Sequence, residues 1–291
     1  MVVKLGFALD EWVGTSLRRK NQRLNRQIMK TQFLKIEEIK EQGLIPAMWT
    51  IYKGSFDIPM ETFLESMKNF DSYALFFTKS GNMVGFSGIR DGKTTLDGKL
   101  YRTVYMGHFS VAKRFRGKSL IPFALIRIFA DHYLNFRKGR LVVWGDAGTY
   151  RSYLVMAKGT KHFYPNPNPP AGHWHDTLAQ ISREVGKECV SGTFDPDRGV
   201  VHSRTQIAMV PEYVITNEDM QDPHINFYVK RNPGYRKGDG MVFLCPANFA
   251  NLWYFMVTKG TLKKMVRKTV AKMLPMRRKV GAVKREAEAA S

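Results

Sequence analysis

The segment from Val104 to Pro122 constrains the fold most, because it predicts a strand, a basic turn and a helix in direct succession. Residues 104–111 are rich in β-branched and aromatic side chains, which favours a strand. Pro122 suits the first turn of a helix, and the apolar residues after it recur at helical spacing: Phe123, Leu125, Ile126 and Phe129. The turn between them, 116–119, offers main-chain N–H groups, two cations and a hydroxyl at a helix N-terminus. That combination stabilises a pyrophosphate.

This segment resembles the acyl-coenzyme A binding motif of the GNAT superfamily of N-acyltransferases. In that motif a strand ending in Val is followed by an Arg-Gly-Lys-Gly-x-Gly type turn and a helix. Val111 then ends the fourth strand and Phe115 precedes the turn, while Ser119 and Ile121 stand where the family prefers glycine. The turn motif can also be aligned to begin at Arg114, but Val111 then no longer marks the end of the strand, so we prefer the first alignment. The resemblance implies a donor site formed by Phe109, Ser110, Val111, Arg116, Gly117, Lys118, Ser119, Leu120 and Ile121. The implied co-substrate is acetyl-CoA or a longer acyl-CoA, without a metal.

The neighbouring segments follow the order of a GNAT core over residues 30–165. Two apolar runs, 72–78 and 82–89, are joined by Lys79-Ser80-Gly81, which predicts a hairpin. Downstream, 140–144 predicts a strand and 150–158 a short helix. The expected fold is therefore α/β (α+β), a GNAT-like mixed and mostly antiparallel central sheet flanked by helices. We expect a β-rich C-terminal extension and a basic C-terminal helix to follow.

Length and composition allow one elaborated domain or a core with a second lobe, since the chain has 291 residues, of which 44% are hydrophobic. We divide it into a basic N-terminal helical segment (1–30), the acyl-CoA-binding core (31–170), an extension (171–258) and a basic tail (259–291). The two cysteines, Cys189 and Cys245, are far apart and lack a disulfide or zinc motif. A reducing, cytoplasmic setting is expected, because we find neither a signal-peptide pattern nor a run of membrane-spanning length.

Positive charge is concentrated at both ends of the chain. With 46 Lys and Arg against 25 Asp and Glu, the net charge is +21. One cluster lies on the predicted N-terminal helix: Arg18, Arg19, Lys20, Arg23, Arg26 and Lys30. The tail from Lys259 carries eleven basic residues and two acidic ones. Such clusters favour nucleic acid, an anionic membrane or an acidic carrier protein, or else form a solvated surface.

The tail also has the pattern of a basic amphipathic helix. Its apolar residues fall on one side: Leu262, Met265, Val266, Thr269, Val270, Met273 and Leu274. The cations Lys263, Lys264, Arg267, Lys268 and Lys272 fall largely on the other. Such a helix lies on an anionic membrane, here through residues 259–280 in a peripheral association, or packs on its own domain. We find no zinc-finger spacing, RNP strand or helix-turn-helix, so the nucleic-acid signature is not strong.

The extension is the least informative part of the sequence. The Pro-rich run 165–172 predicts a boundary loop, 176–185 a helix, and 203–210 and 225–230 two strands. We expect 239–246 to pair with 225–230 as a hairpin, and the extension to lengthen the sheet and wall the acceptor side. The run 173–176 (His-Trp-His-Asp) lacks further metal ligands at suitable spacing, so ordinary loop residues are the preferred interpretation.

The catalytic candidates are His108, Tyr105, Tyr153 and Asp146. Many GNAT enzymes carry a Glu base on the fourth strand, but that place falls near Tyr105 and the strand contains no acid. His108 is the nearest group able to accept a proton near neutral pH, or else it is a packed strand histidine. The family's Tyr acid aligns with Lys158, so Tyr153 or Tyr150 would replace it, and Asp146 would orient the amine. The resemblance also implies that main-chain N–H groups at 109–111 polarise the thioester carbonyl.

Two functions remain open at this point. The first is an acyltransferase that moves an acyl group from an acyl-CoA or acyl-carrier protein thioester to an amine acceptor by direct attack. The second is a non-catalytic GNAT-like binding protein that associates with nucleic acid or an anionic membrane through its basic ends. The missing strand carboxylate decides neither, because proximity alone can supply much of the rate.

Overall fold

The computed structural model describes residues 28–116, 120, 124, 125, 128, 129, 131–189, 192–203, 208, 209 and 213–258. Among them are ten strands: β1 (Ile28–Leu34), β2 (Phe56–Asp57), β3 (Ser72–Thr78), β4 (Met83–Leu96), β5 (Lys99–Val111), β6 (Leu141–Ala147), β7 (Gly192–Asp195), β8 (Val200–Ser203), β9 (Ala208–Met209) and β10 (Gly240–Pro246). The described helices are α1 (Ile36–Glu41), α2 (Ile45–Lys53), α3 (Met60–Met67), α4 (Tyr133–Arg137), α5 (Tyr150–Ala157), α6 (Trp174–Lys187), α7 (Pro223–Arg231) and α8 (Phe249–Thr258). No helix in these ranges is both long and apolar enough to cross a membrane.

Eight strands form one sheet in the order β1-β3-β4-β5-β6-β10-β8-β7, and β2 pairs with β9. Neighbouring strands of the sheet are antiparallel except β5 and β6, which are parallel. Parallel pairing needs a crossover, and the segment between β5 and β6 supplies it with described helical residues at Ala124, Leu125, Ile128 and Phe129. The predicted mixed and mostly antiparallel central sheet flanked by helices is confirmed.

Helices cover both faces of the sheet. Side chains alternate between the faces along each strand, so Tyr105 and Trp144 point to one face while Val104 and Val143 point to the other. The face of Tyr105 packs against α2, α3 and α6, and we name it the α2 face. The face of Val104 packs against α5 and α7, and we name it the α5 face.

The extension belongs to the same sheet as the core. β10 pairs with β6 and β8, and Tyr164 bridges Leu244, so residues 171–258 complete the sheet. The extension also contributes α6, α7 and α8, and is therefore mixed rather than β-rich. The predicted helix at 176–185 lies within α6, and the run 165–172 forms neither helix nor strand.

The strand predicted at 225–230 is wrong, because these residues lie in α7. Asp222 caps this helix by accepting a hydrogen bond from the His224 N–H, and Pro223 occupies its first turn. Ile225 and Tyr228, three residues apart, are its buried residues. The hairpin predicted between 225–230 and 239–246 is therefore also wrong, since β10 pairs with β6 and β8.

Other predictions are met in part or fall outside the described residues. Of the strand predicted at 203–210, Ser203 lies in β8 and Ala208 and Met209 lie in β9, and the other residues lie outside the described ranges. β1 begins at Ile28, inside the predicted N-terminal helical segment. Residues 1–27 and 259–291, which include the predicted amphipathic tail, lie outside the described ranges.

Candidate functional site

The parallel strands β5 and β6 stop pairing before either strand ends. Their last paired residues are Tyr105 and Trp144, whereas β5 continues to Val111 and β6 to Ala147. Gly145 keeps the strands close just beyond this point, because a Cβ there would lie 2.7 Å from the Met106 carbonyl oxygen. Past this point β5 remains paired only with β4, and β6 only with β10.

A β-bulge interrupts β5 within this unpaired stretch. Ser110 lies opposite Phe86 and Gly107 lies opposite Gly88, so His108 and Phe109 together face the single residue between 86 and 88. His108 has a φ of 51°, in the left-handed region. A bulge leaves its extra residue out of the ladder and re-aims neighbouring groups. The bulge overlaps at Phe109 with the main chain of 109–111, which the resemblance implies would polarise a thioester carbonyl.

The bulge also changes which side chains share a face. Met106 and Val111 lie in the same core on the α5 face although five positions separate them, an odd number. In a regular strand an odd spacing places two residues on opposite faces, so the extra residue at 108–109 accounts for the change. Phe109 is half-buried against the core of the α5 face, and the Ser110 hydroxyl is buried without a hydrogen-bond partner.

The His108 ring packs into an aromatic cluster on the α2 face. Its centroid lies 5.1 Å from Tyr52, 5.9 Å from Phe63 and 4.7 Å from Phe70. Its Nδ1 is buried and makes no hydrogen bond. Burial lowers the pKa of His108 to about 4, since the charged imidazolium loses its hydration. The ring is therefore neutral at physiological pH and a weak proton acceptor.

Tyr105 and Asp146 form a hydrogen-bonded pair where the strands part. The Tyr105 hydroxyl donates to Asp146 Oδ1 at 2.5 Å. The Tyr105 ring stacks on Phe70 with centroids 5.6 Å apart, contacts Trp144 at 4.4 Å, and lies beneath the Arg90 guanidinium. Burial, followed by the nearby Asp146 carboxylate, holds the pKa of Tyr105 well above its usual value. Tyr105 is thus a fixed donor that orients a half-buried carboxylate.

Of the residues predicted to hold the donor's phosphates, Arg116 and Leu120 are described, whereas Gly117, Lys118, Ser119 and Ile121 lie outside the described residues. Arg116 Nε donates to the Val111 carbonyl at 3.2 Å, and Nη2 donates to the Gly54 carbonyl at 2.6 Å. This guanidinium therefore holds the end of β5 against the turn after α2. The Leu120 side chain is buried in the core of the α5 face.

Tyr213 lies between two guanidinium groups, one following each of the parting strands. Its ring centroid is 5.3 Å from Arg116 Cζ and 5.4 Å from Arg151 Cζ. Its hydroxyl lies 3.2 Å from Ser55 Oγ, which accepts a hydrogen bond from Arg116 at 3.2 Å. Arg116 follows β5, and Arg151 lies in the first turn of α5, directly after β6. Tyr213 therefore bridges the carboxyl ends of both strands.

Tyr153 is separated from the other catalytic candidates by the sheet. It is fully buried in the core of the α5 face, whereas Tyr105 and the ring cluster around His108 lie on the α2 face. Its hydroxyl donates to the Pro165 carbonyl at 3.0 Å, and burial raises its pKa. The Tyr150 hydroxyl accepts from Arg151 Nε at 3.2 Å. The structure thus brings together Tyr105, Asp146 and the bulge, and places Tyr153 elsewhere.

Sequence reasoning missed Tyr52 and Tyr213, which come from segments distant from the motif.

A surface cavity lies far along the sheet, beside the edge strand β1, lined by Lys30, Gln32, Phe77, Thr78, Lys79 and Gly81. It contains no catalytic candidate. In the part of the chain that is described, no group of three or more His, Cys, Asp and Glu residues is arranged to hold a metal ion.

No protein-family model and no curated protein sequence matches this chain. A solved structure from Enterococcus faecalis, titled "Probable N-Acyltransferase", is 13% identical over 46% of this chain and 32% of its own, with a TM-score of 0.33. An aminoglycoside acetyltransferase from an uncultured soil metagenomic sample is 16% identical over 50% of this chain and 94% of its own, with a TM-score of 0.32. Glucosamine-6-phosphate N-acetyltransferase from Arabidopsis thaliana is 16% identical over 40% and 82%, with a TM-score of 0.26. At TM-scores this low these structures do not define the fold, which is given by the strand order of the sheet itself.

Proposed function

We propose that this protein is an acyltransferase that transfers an acyl group from an acyl-CoA, or a related thioester, to an amine. One observation carries the proposal: the bulge at His108 and Phe109 follows the last β5–β6 pair by three residues, and at that pair Tyr105 holds the carboxylate of Asp146. That arrangement offers a place for a thioester carbonyl and, near it, an acceptor for the amine's proton. Acyl transfer to an amine needs a polarised carbonyl and a proton acceptor, and these two groups would supply them.

Direct attack requires one bond to form and one to break. The neutral amine nitrogen attacks the carbonyl carbon, giving a tetrahedral intermediate with a negative oxygen. Main-chain N–H groups released from the ladder at the bulge stabilise that oxygen. As the C–S bond breaks, the attacking nitrogen gives up its extra proton to solvent and the departing thiolate takes up a proton, which leaves a neutral amide and a free thiol.

Asp146 is the group we assign to the amine. Its carboxylate attracts the incoming ammonium and accepts a proton from it, and Tyr105 fixes the carboxylate orientation through Oδ1. We do not assign His108 as the base, because its lowered pKa makes it a weak proton acceptor. Its proposed role is to hold the bulge in shape through its ring contacts and left-handed backbone.

The donor's phosphates are proposed to bind the turn 116–119, as the resemblance implies. The contacts of Arg116 support this indirectly, since they fix the start of the turn against Gly54.

The lowered pKa of His108 and the lack of any acid on β5 favour a second candidate, a binding protein of the same fold that holds the thioester without turning it over.

Two measurements test the proposal. Acetyl-CoA and a long-chain acyl-CoA are expected to raise the melting temperature, and Gly117→Glu is expected to remove that shift by placing a negative charge against the pyrophosphate. Thr95→Glu, on the exposed part of β4, adds the same charge elsewhere and is the control. A shift that survives Gly117→Glu contradicts the phosphate turn.

Turnover is followed as release of free thiol from acyl-CoA over a panel of amines. We expect Asp146→Asn to lower kcat by roughly 10²-fold or more while the donor's melting shift stays. Asp97→Asn, in the exposed β4–β5 turn, is the matched control. Donor binding without thiol release over a broad panel favours the binding protein, and full activity of Asp146→Asn refutes the role of that carboxylate.

A further inference from the structure

Helix α8 presents an uncharged aromatic face to solvent. Phe249 is 64% exposed, Trp253 58% and Tyr254 37%. Phe249 and Trp253 are four positions apart and therefore lie on one face of the helix. No residue from 249 to 258 carries a charge. Clusters of large exposed aromatic residues in folded domains mark interaction sites.

Buried hydrogen bonds fix the direction in which this face points. The Asn251 side-chain oxygen accepts the main-chain N–H groups of Lys161 and His162, at 2.9 and 2.8 Å. Its amide nitrogen donates to the carbonyls of His162 and Pro246, both at 2.8 Å. Leu252, on the same side, packs against the core of the α5 face. The helix therefore cannot rotate to bury its aromatic residues without breaking these bonds.

The charge of the sequence that follows α8 selects the partner. The residues that follow the helix, 259–280, include nine Lys and Arg and no Asp or Glu. A fitting partner therefore has an anionic surface with an apolar layer directly beneath it. A bilayer containing anionic lipids has both, whereas duplex nucleic acid offers phosphates without an accessible apolar layer.

We propose that the aromatic face of α8 docks on an anionic lipid bilayer. Phe249, Trp253 and Tyr254 lie in the headgroup region, where amphipathic aromatic rings are favoured, and the cations of 259–280 meet the anionic lipids. This inference does not depend on the proposed acyl transfer.

The test is flotation of the full chain with vesicles of phosphatidylcholine alone or mixed with phosphatidylglycerol. We expect binding to the mixed vesicles and little to the zwitterionic ones. The double variant Phe249→Ser/Trp253→Ser should bind roughly tenfold more weakly, since it loses two buried rings at the interface. Tyr133→Ser/Leu134→Ser, at two exposed residues of α4, removes a similar apolar area and should bind as the wild type does.

A second readout locates Trp253 itself. Brominated lipids should quench its fluorescence in the bound state, and Trp253→Phe should remove that quenching while binding remains. Binding that is absent, or equal in the α8 and α4 double variants, overturns the proposal. The proposal is also overturned if the wild type binds no lipid and the α8 double variant loses binding to duplex DNA or loses a dimer that the wild type forms in solution. The face would then have another partner.

Discussion

Replacing Asn251 by Ala is expected to destabilise the protein more than any other single change of a polar residue in α8. The side chain is 5% exposed and completes four hydrogen bonds to main-chain groups of two other segments. Alanine removes all four and leaves two N–H groups and two carbonyls without their partner. A buried polar group that loses its partner costs its desolvation energy.

The magnitude follows from the number of bonds. At about 1 kcal/mol for each hydrogen bond, the expected loss is about 4 kcal/mol. Domains of this kind are stable by about 5–15 kcal/mol, so the change removes a large part of the total. The assay is urea unfolding followed by circular dichroism, with the slope of the transition checked to stay constant.

Two further variants separate the bonds of Asn251 from a general effect on the helix. Asn248→Ala removes one bond, the cap to the Asn251 N–H at 2.9 Å, and should cost about 1 kcal/mol. Asn251→Asp keeps the two acceptor contacts but turns an oxygen toward two carbonyls, so it should also destabilise. If Asn251→Ala costs no more than Asn248→Ala, the four bonds are readily replaced by water and the reasoning fails.

Three other expectations concern the site. Folding favours neutral His108, so the free energy of unfolding should fall by up to about 3 kcal/mol as the pH drops from 6.5 to 4. The urea midpoint plotted against pH should therefore be steeper over that window for the wild type than for His108→Gln, and equal slopes contradict the expectation. Gly145→Ala places a Cβ 2.7 Å from the Met106 carbonyl and should cost about 1–3 kcal/mol in thermal unfolding, whereas an unchanged melting temperature would mean that the strands can move apart freely. Tyr213→Phe loses only the hydroxyl contact with Ser55 and should cost about 1 kcal/mol of unfolding free energy, whereas Tyr213→Ala should cost about 3–5 kcal/mol. Equal denaturation midpoints for these two variants would mean that the Tyr213 ring does not stabilise the fold.

Local patterns predicted the elements whose signals were strong and short in range. The hairpin around Gly81, the strands of the motif and the helix after β6 are all present. The segment 225–230 misled because Ile, Phe, Tyr and Val favour strands, yet Asp222 and Pro223 are a helix start signal. The Asp97-Gly98 pair is a hairpin signal that the sequence analysis did not use, and it explains why β4 and β5 extend far beyond the predicted strands.

The site was less predictable, because its side chains come from segments that only the fold brings together. The position of Arg116 after a strand suggested a phosphate ligand, but its partner Gly54 lies 62 residues earlier in the chain. Tyr213 likewise reaches Arg116 and Arg151 through tertiary packing that no spacing rule contains. The bulge places two residues of β5 opposite one residue of β4, and the sequence of β5 alone does not reveal where this mismatch falls.

The bulge links the proposed carbonyl site to the choice of base. The same extra residue that frees main-chain groups at 108–109 turns the His108 ring into the cluster of Tyr52, Phe63 and Phe70. That burial lowers the pKa of the imidazole, so the geometry that suits the carbonyl weakens the histidine as a proton acceptor. On the proposed function, the acceptor must then come from the neighbouring strand. Asp146, held by Tyr105 where β6 leaves β5, is the carboxylate in that position.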